Sequence, residues 1–245
     1  MSACDETKIQ AELITLYTKL AEKPGSDFGW NKGKANARQL GYSETWLERL
    51  PEIVWESAAA VGNPFKLGKI NAGQTVLDIG CGAGADACVA ALLVGNSGKV
   101  IGVDCTPAMI EKARLNARHA ALNNIDFHEA DITGLPVADN SIDVVISNGA
   151  INLSKDKYSV FQELFRILKP GGRLQIADMV RISEDSCVSE STGGTWANCV
   201  QGTLTADKLL EIITETGFTD AILMELTGYR TSNITNGALV TALRP

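Results

Sequence analysis

The sequence predicts an α/β fold: a mostly parallel, seven-stranded sheet with helices on both faces, preceded by a helical N-terminal extension. From residue 75 onward, short apolar runs alternate with segments of helical periodicity, which is the pattern of right-handed βαβ units. The first of these runs leads directly into a glycine-rich turn. Residues 1–70, by contrast, carry only helical patterns. We therefore divide the chain into an extension, residues 1–70, and a ligand-binding domain, residues 71–245.

The N-terminal extension begins with an amphipathic helical pattern. Apolar side chains recur at helical spacing over residues 9–20, and Pro24 and Gly25 end the pattern. A second helix is predicted over residues 43–60, before the turn Gly62-Asn63-Pro64. The extension also carries three aromatic side chains that either help it close as a lid over a bound ligand or simply pack in the core: Tyr17, Phe28 and Trp30.

The domain that follows is predicted to alternate strands and helices. The strands are predicted at residues 76–79, 100–103, 125–127, 144–146 and 174–177, with two closing strands at 221–224 and 238–242. The helices are predicted at residues 85–94, 107–122, 157–168 and 206–216. Lys169-Pro-Gly-Gly172 is expected to stop the third of these helices. The polar segment 183–205 is predicted to be an insertion that covers the substrate.

The bulk composition excludes several classes of protein. With 22 basic and 29 acidic residues, the net charge of −7 disfavours a phosphate backbone, so nucleic acid is not expected as a partner. No apolar run is long enough to cross a bilayer and no signal sequence is evident, which predicts a cytoplasmic protein without membrane association. Six cysteines without a C-x-x-C pair read as reduced thiols, and two histidines without ligand spacing predict no metal.

The glycine-rich turn carries the strongest functional signal. Gly80, Gly82 and Gly84 allow the backbone to approach a ligand closely, and Asp104 stands where a carboxylate can accept ribose hydroxyls. The same turn also satisfies a dinucleotide fingerprint with alanine in its last place. Asp78 decides against that reading, because a carboxylate beside the turn repels a pyrophosphate but attracts an ammonium group.

As an ordered set, the motifs of residues 75–180 resemble the class I S-adenosylmethionine-dependent methyltransferases, whose fold is Rossmann-like. Beyond the turn, the resemblance rests on Ala130-Asp131-Ile132, Ser147-Asn148 and the segment 168–174. It implies S-adenosylmethionine as the cofactor, with its methionine part at the turn, its ribose at Asp104 and its adenine at Asp131. The cofactor-binding residues implied are Asp78, Gly80, Cys81, Gly82, Asp104, Cys105, Asp131, Ile132 and Asn148.

Over residues 50–205 the chain resembles the arsenite methyltransferases more closely. The shared segments are 62–64, 102–110, 135–143, 146–153 and 196–202. That family binds arsenic through three thiolates, which is the ligand type that soft trivalent arsenic requires. Here Val61 and Gly149 stand in two of the three thiol positions, and only Cys199 remains. The resemblance implies Cys199 as the catalytic thiol and a substrate pocket formed by Val61, Gly149, Trp196 and Asn198.

Three functional hypotheses follow. The first is a methyltransferase acting on a small-molecule acceptor other than arsenite, in which alignment and exclusion of water supply most of the acceleration because no general base is evident. The second is an arsenite methyltransferase that uses Cys199 with an exogenous thiol and with Cys187 as a second ligand. The third is a protein that binds S-adenosylmethionine without catalysis.

Overall fold

The computed structural model describes residues 3–182 and 202–245 of the chain. The predicted insertion therefore lies almost entirely outside the described residues, which resume at Gly202. Four residues of the sequence analysis are outside them as well: Cys187, Trp196, Asn198 and Cys199.

The centre of the molecule is one seven-stranded sheet of order β3-β2-β1-β4-β5-β7-β6. The strands are β1 (Thr75–Ile79), β2 (Lys99–Asp104), β3 (Ile125–Glu129), β4 (Ile142–Asn148), β5 (Leu168–Arg181), β6 (Thr219–Leu226) and β7 (Thr235–Leu243). Strands β1 to β5 pair in parallel, whereas β7 runs antiparallel between β5 and β6. This arrangement confirms the predicted α/β class. The strand order reverses between β1 and β4, where open sheets of this kind form a ligand crevice.

Eight α-helices lie in the described residues. They are α1 (Ala3–Glu22), α2 (Gly33–Gln39), α3 (Glu44–Arg49), α4 (Glu52–Trp55), α5 (Ala85–Val94), α6 (Pro107–His119), α7 (Lys157–Ile167) and α8 (Ala206–Glu215). Two 3₁₀ turns, Pro64–Leu67 and Ile151–Leu153, flank the crevice region. Within the described ranges, no helix combines the length and apolar character needed to cross a membrane.

Three predicted boundaries are wrong. The single helix expected over residues 43–60 is two short helices, because the chain turns extended at Leu50 and Pro51, and proline has no N–H to continue the α3 ladder. The helix after β2 ends at His119, since Ala121 takes a left-handed conformation with φ of 55°. The strand predicted at 174–177 begins earlier, at Leu168, so Lys169–Gly172 follows the end of α7 at Ile167 as expected but is already part of β5.

The extension and the domain share one hydrophobic core. Side chains of β1 alternate between two clusters, with Val76 on one face of the sheet and Leu77 on the other. Leu47 and Trp55 from the extension belong to the same cluster as Val76 and are buried. Leu47 and Trp55 therefore pack the extension against the domain, and Trp55 also lines the cavity described below.

Candidate active site

A cavity of about 410 Å³ lies at the carboxyl ends of β1, β2 and β4, within the usual range of small-molecule sites, about 300–1,000 Å³. Every cofactor-binding residue named from the sequence lines it, and so do Val61 and Gly149. Helix α1 contributes four side chains of its apolar face: Ile9, Leu13, Tyr17 and Leu20. Trp30 also lines the cavity, whereas Phe28 stacks on Trp30 with ring centroids 5.4 Å apart and does not reach it.

The glycine turn after β1 has a backbone that only glycine adopts readily. Gly80 and Gly82 have φ values of 64° and 50°, in the left-handed region that disfavours a Cβ atom. The space around them differs, because a Cβ at Gly80 would lie 2.2 Å from the Cβ of Ala150. At Gly82 a Cβ would meet only the Met109 sulfur among the described residues, 4.0 Å away. Gly80 thus lets the turn and the loop after β4 approach each other.

We expect Gly80→Ala to lower the free energy of unfolding by about 2 kcal/mol more than Gly82→Ala does. Both variants carry left-handed strain of about 1–2 kcal/mol, but only the alanine at position 80 overlaps Ala150. Urea unfolding of both variants beside the wild type measures the difference. Equal destabilisation of the two variants would contradict this account of the turn.

Asp78 is a buried carboxyl group, and one of its oxygens receives no hydrogen bond from the described residues. Its side chain is only 2% exposed, and Oδ2 has no hydrogen-bond partner among the described residues. Burial raises the pKa of Asp78 well above its ordinary value, and the nearby Asp86 and Asp104 carboxyls raise it further. A cationic ligand group would satisfy Oδ2 and favour the charged form. The ammonium of an amino acid moiety fits this position.

Asp104 ends β2 and is held firmly by the backbone. Its Oδ2 accepts from the Gly82 N–H at 2.9 Å, and its Oδ1 accepts from the Thr106 N–H at 2.8 Å. Burial raises the pKa of Asp104, while these two backbone hydrogen bonds lower it. Because each carboxylate oxygen has a second lone pair, both can still accept from ligand hydroxyls. The carboxylate is thus oriented at the edge of the glycine turn before a ligand binds.

Asp131 and Ile132 lie at the exposed rim of the cavity after β3. Asp131 Oδ1 accepts from both the N–H and the hydroxyl of Thr133, at 2.8 and 2.6 Å, which fixes the direction of the carboxylate. Ile132 packs partly against the core beside it. A carboxylate next to an apolar side chain suits the amino edge and face of a purine.

Asn148 joins the extension to the domain through hydrogen bonds that the sequence does not reveal. Its Oδ1 accepts from the Val61 N–H at 2.9 Å, and its Nδ2 donates to the Gly62 carbonyl at 2.9 Å and to Asp86 Oδ2 at 2.9 Å. Tyr42 donates from its hydroxyl to Asp86 Oδ1 at 2.7 Å. The Asn148 amide lines the cavity, but the hydrogen bonds that it makes in the structure are to protein groups. A contact between Asn148 and a cofactor therefore stays a prediction.

Val61 and Gly149 are neighbours in space. A Cβ built on Gly149 would lie 3.4 Å from Val61 Cγ1. Gly149 has φ of 70°, and its N–H donates to the Ala177 carbonyl at 2.8 Å. The two positions that carry thiols in the resembled family therefore form one apolar patch of the cavity wall here.

The described thiols near the cavity are poor ligands for a soft ion. Burial raises the pKa of Cys105 to about 11 and that of Cys88 to about 12, and burial also raises the pKa of Cys81. They therefore stay protonated at neutral pH, whereas the thiolate is the ligating form. No group of three or more His, Cys, Asp or Glu side chains in the described ranges is arranged to hold a metal ion.

A mixed seven-stranded sheet with a glycine turn after β1, acids at the ends of β1 and β2 and an acid after β3 is typical of the class I S-adenosylmethionine-dependent methyltransferases. The match of residues 70–217 to a family model described as a methyltransferase domain confirms this class. The chain belongs to that methyltransferase domain family.

The sequence is also similar to that of an individual methyltransferase. An arsenite methyltransferase of Halobacterium salinarum is 43% identical over 157 residues, which cover 64% of this chain but 40% of the relative. The chain thus spans less than half the length of that relative. The predicted resemblance to arsenite methyltransferases is confirmed at this level.

Solved structures show the same fold. An arsenic(III) S-adenosylmethionine methyltransferase from Chlamydomonas reinhardtii aligns with a TM-score of 0.60 and 27% identity, over 88% of this chain and 74% of that one. A geranyl diphosphate C-methyltransferase from Streptomyces coelicolor aligns with a TM-score of 0.70, over 97% and 98% of the two chains. At 18% identity the second match bears on the fold alone.

Proposed function

We propose that this chain transfers a methyl group from S-adenosylmethionine to a small-molecule acceptor other than arsenite. The contact between Val61 and the Gly149 position carries this proposal, because it places apolar groups where arsenic would need two thiolates. When bound, S-adenosylmethionine supplies a methyl group activated by its sulfonium charge. The cytoplasm is the proposed compartment, consistent with the free thiols of Cys81, Cys88 and Cys105.

Different residues of the cavity would bind different parts of the cofactor. Asp78 would pair with the ammonium of the methionine part, above a backbone cradle formed by Gly80 and Gly82. Asp104 would accept the ribose hydroxyls, since its carboxylate is already oriented by two backbone N–H groups. Asp131 would accept from the adenine amino group. Asn148 would contribute indirectly, by holding together the two loops to which it hydrogen bonds.

The acceptor side favours a compound that is already nucleophilic. The cavity wall near Val61 and Gly149 is apolar, and neither histidine lines the cavity. Orientation and removal of water would then supply most of the acceleration. Aromatic faces of Tyr17 and Trp30 line the same cavity and would stabilise a cationic sulfur. An apolar acceptor with a soft sulfur, nitrogen or carbon nucleophile fits such a chamber better than a hydrated anion.

Helix α1 would serve as the lid over this chamber. Its C-terminal end is tied down, because the Leu20 carbonyl accepts from the Ser57 hydroxyl at 3.0 Å and the Ala21 carbonyl from Lys112 Nζ at 3.1 Å. The helix before this anchor lines the cavity with apolar side chains such as Leu13. A helix anchored at its C-terminal end can open and close for ligand exchange.

The second candidate is arsenite methylation, favoured by the 43% identity to the Halobacterium salinarum enzyme. It would use Cys199 with an exogenous thiol. The wild type and Cys199→Ser are incubated with labelled S-adenosylmethionine, arsenite and glutathione, and in parallel with pools of small thiols, amines and apolar metabolites. We expect no methylated arsenic from either protein and a labelled product from an organic pool. Methylarsenic made by the wild type and lost in Cys199→Ser would establish the second candidate instead.

A further inference from the structure

The indole of Trp55 presents a buried donor without a partner at the cofactor cavity. Trp55 is 1% exposed and lines the cavity, yet its Nε1–H has no hydrogen-bond acceptor among the described residues. Leaving a buried donor unpaired is energetically unfavourable. Such a group is usually explained by a bound water, an ion or a ligand.

The Trp55 ring packs against Tyr42, and both residues line the same cavity as Asp78. Tyr42 packs edge-to-face against Trp55, with ring centroids 5.8 Å apart and planes at 86°. The Tyr42 hydroxyl in turn donates to Asp86 at 2.7 Å, and the charge of Asp78 contributes to the raised pKa of Tyr42. Tyr42 therefore links Trp55 to Asp86, and Asp78 is near enough for its charge to act on Tyr42.

The two unpaired groups are complementary to an amino acid zwitterion. Asp78 Oδ2 offers an acceptor for an ammonium, and Trp55 Nε1–H offers a donor for a carboxylate. Asp78 and Asp86 bring negative charge to this region, so a ligand carboxylate bound there needs a hydrogen-bond donor to offset the repulsion. We propose that Trp55 donates its indole N–H to the carboxylate of the methionine part of S-adenosylmethionine and so selects for the intact amino acid end. This inference rests on the proposed cofactor site.

The test is Trp55→Phe, which keeps an aromatic ring against Tyr42 but removes the indole N–H together with part of the ring system. Calorimetric titrations use S-adenosylhomocysteine, decarboxylated S-adenosylmethionine and 5′-methylthioadenosine, so that the carboxylate is present in one probe and absent from two. We expect Trp55→Phe to weaken S-adenosylhomocysteine about tenfold, as expected for a hydrogen bond to a charged group, and to leave the other two dissociation constants within about twofold of the wild type. Trp46→Phe is the matched control, because Trp46 belongs to the same aromatic cluster but does not line the cavity.

Each possible result of these titrations either supports or overturns the proposed role of Trp55. Unchanged binding of S-adenosylhomocysteine by Trp55→Phe would overturn it and would assign the carboxylate to another lining group such as Lys155. Equal weakening of all three probes would also overturn it, because that pattern reports a distorted cavity. Failure of the wild-type protein to bind any of the probes would instead refute the proposed cofactor site itself.

Discussion

Replacing Asp78 by asparagine is expected to weaken S-adenosylmethionine binding by roughly a hundredfold or more. The variant keeps the size of the side chain but removes the buried charge opposite the cofactor ammonium, and breaking a buried ion pair from one side costs about 3 kcal/mol or more. Calorimetric titration of wild type and variant measures the change. Asp126→Asn is the control, since Asp126 is an exposed acid of β3 that pairs with Lys99 at 2.7 Å.

The same variant separates a binding role from a structural one. Burial raises the pKa of Asp78, so its contribution to stability is present at low pH and is lost as the pH rises through that raised value. Asp78→Asn should therefore leave the thermal midpoint of the free protein unchanged or higher at neutral pH. A variant that loses both stability and cofactor affinity would contradict the assignment of Asp78 to the ligand.

The pH dependence of binding follows with a definite sign. The cofactor ammonium needs an ionised Asp78, whereas the free protein holds this carboxyl protonated up to a pH above the ordinary aspartate pKa, about 4. Affinity in the wild type is thus expected to increase with pH from about 4 until the raised pKa is passed, with release of a proton. Asp86 and Asp104 titrate nearby, so the informative quantity is the difference between wild type and Asp78→Asn.

Restoring the two absent thiols is expected to create an arsenite site. In Val61→Cys/Gly149→Cys the sulfurs would stand close together, because a Cβ at position 149 lies 3.4 Å from Val61 Cγ1. Two converging thiols chelate a soft trivalent ion, and we expect arsenite retention to rise by at least about tenfold. The left-handed φ of 70° at position 149 adds about 1–2 kcal/mol of strain, so the variant is expected to be less stable.

The control for this gain is Val61→Ser/Gly149→Ser, which has similar side-chain size and the same backbone strain without a thiol. Arsenic retained after desalting is quantified for both double variants and the wild type. Equal retention by the serine and cysteine variants would show that the missing thiols at positions 61 and 149 do not determine whether the chain binds arsenic. The main argument for an acceptor other than arsenite would then be lost.

The fold was predictable where the hydrophobic pattern and the secondary structure agree. The strands around Val76 and Val144 lie in runs of buried apolar residues bounded by helices, and such runs have few alternative placements. The error over residues 43–60 arose because periodicity continues across Pro51, although the missing N–H divides the segment. The early start of β5 was missed because Gly171 and Gly172 are drawn into the strand by backbone hydrogen bonds to Arg244, which the local sequence does not reveal.

The site was predictable in part for a topological reason. Asp78 and Asp104 end neighbouring parallel strands, so their positions in the sequence already place them at one edge of the sheet. Tyr42 and Trp55 were missed because they come from the extension and reach the cavity only through tertiary packing. One feature of the sequence could have identified Asp86 as a site residue, because it is the sole charged residue in the otherwise apolar helix α5.

The most direct test of the central claim is a titration of the wild-type chain with S-adenosylmethionine, repeated in the presence of excess NAD. We expect saturable binding of one S-adenosylmethionine per chain, unaffected by NAD, because Asp78 attracts the ammonium and disfavours a pyrophosphate at the glycine turn. Absence of S-adenosylmethionine binding, or its displacement by NAD, would contradict the assignment of this cavity.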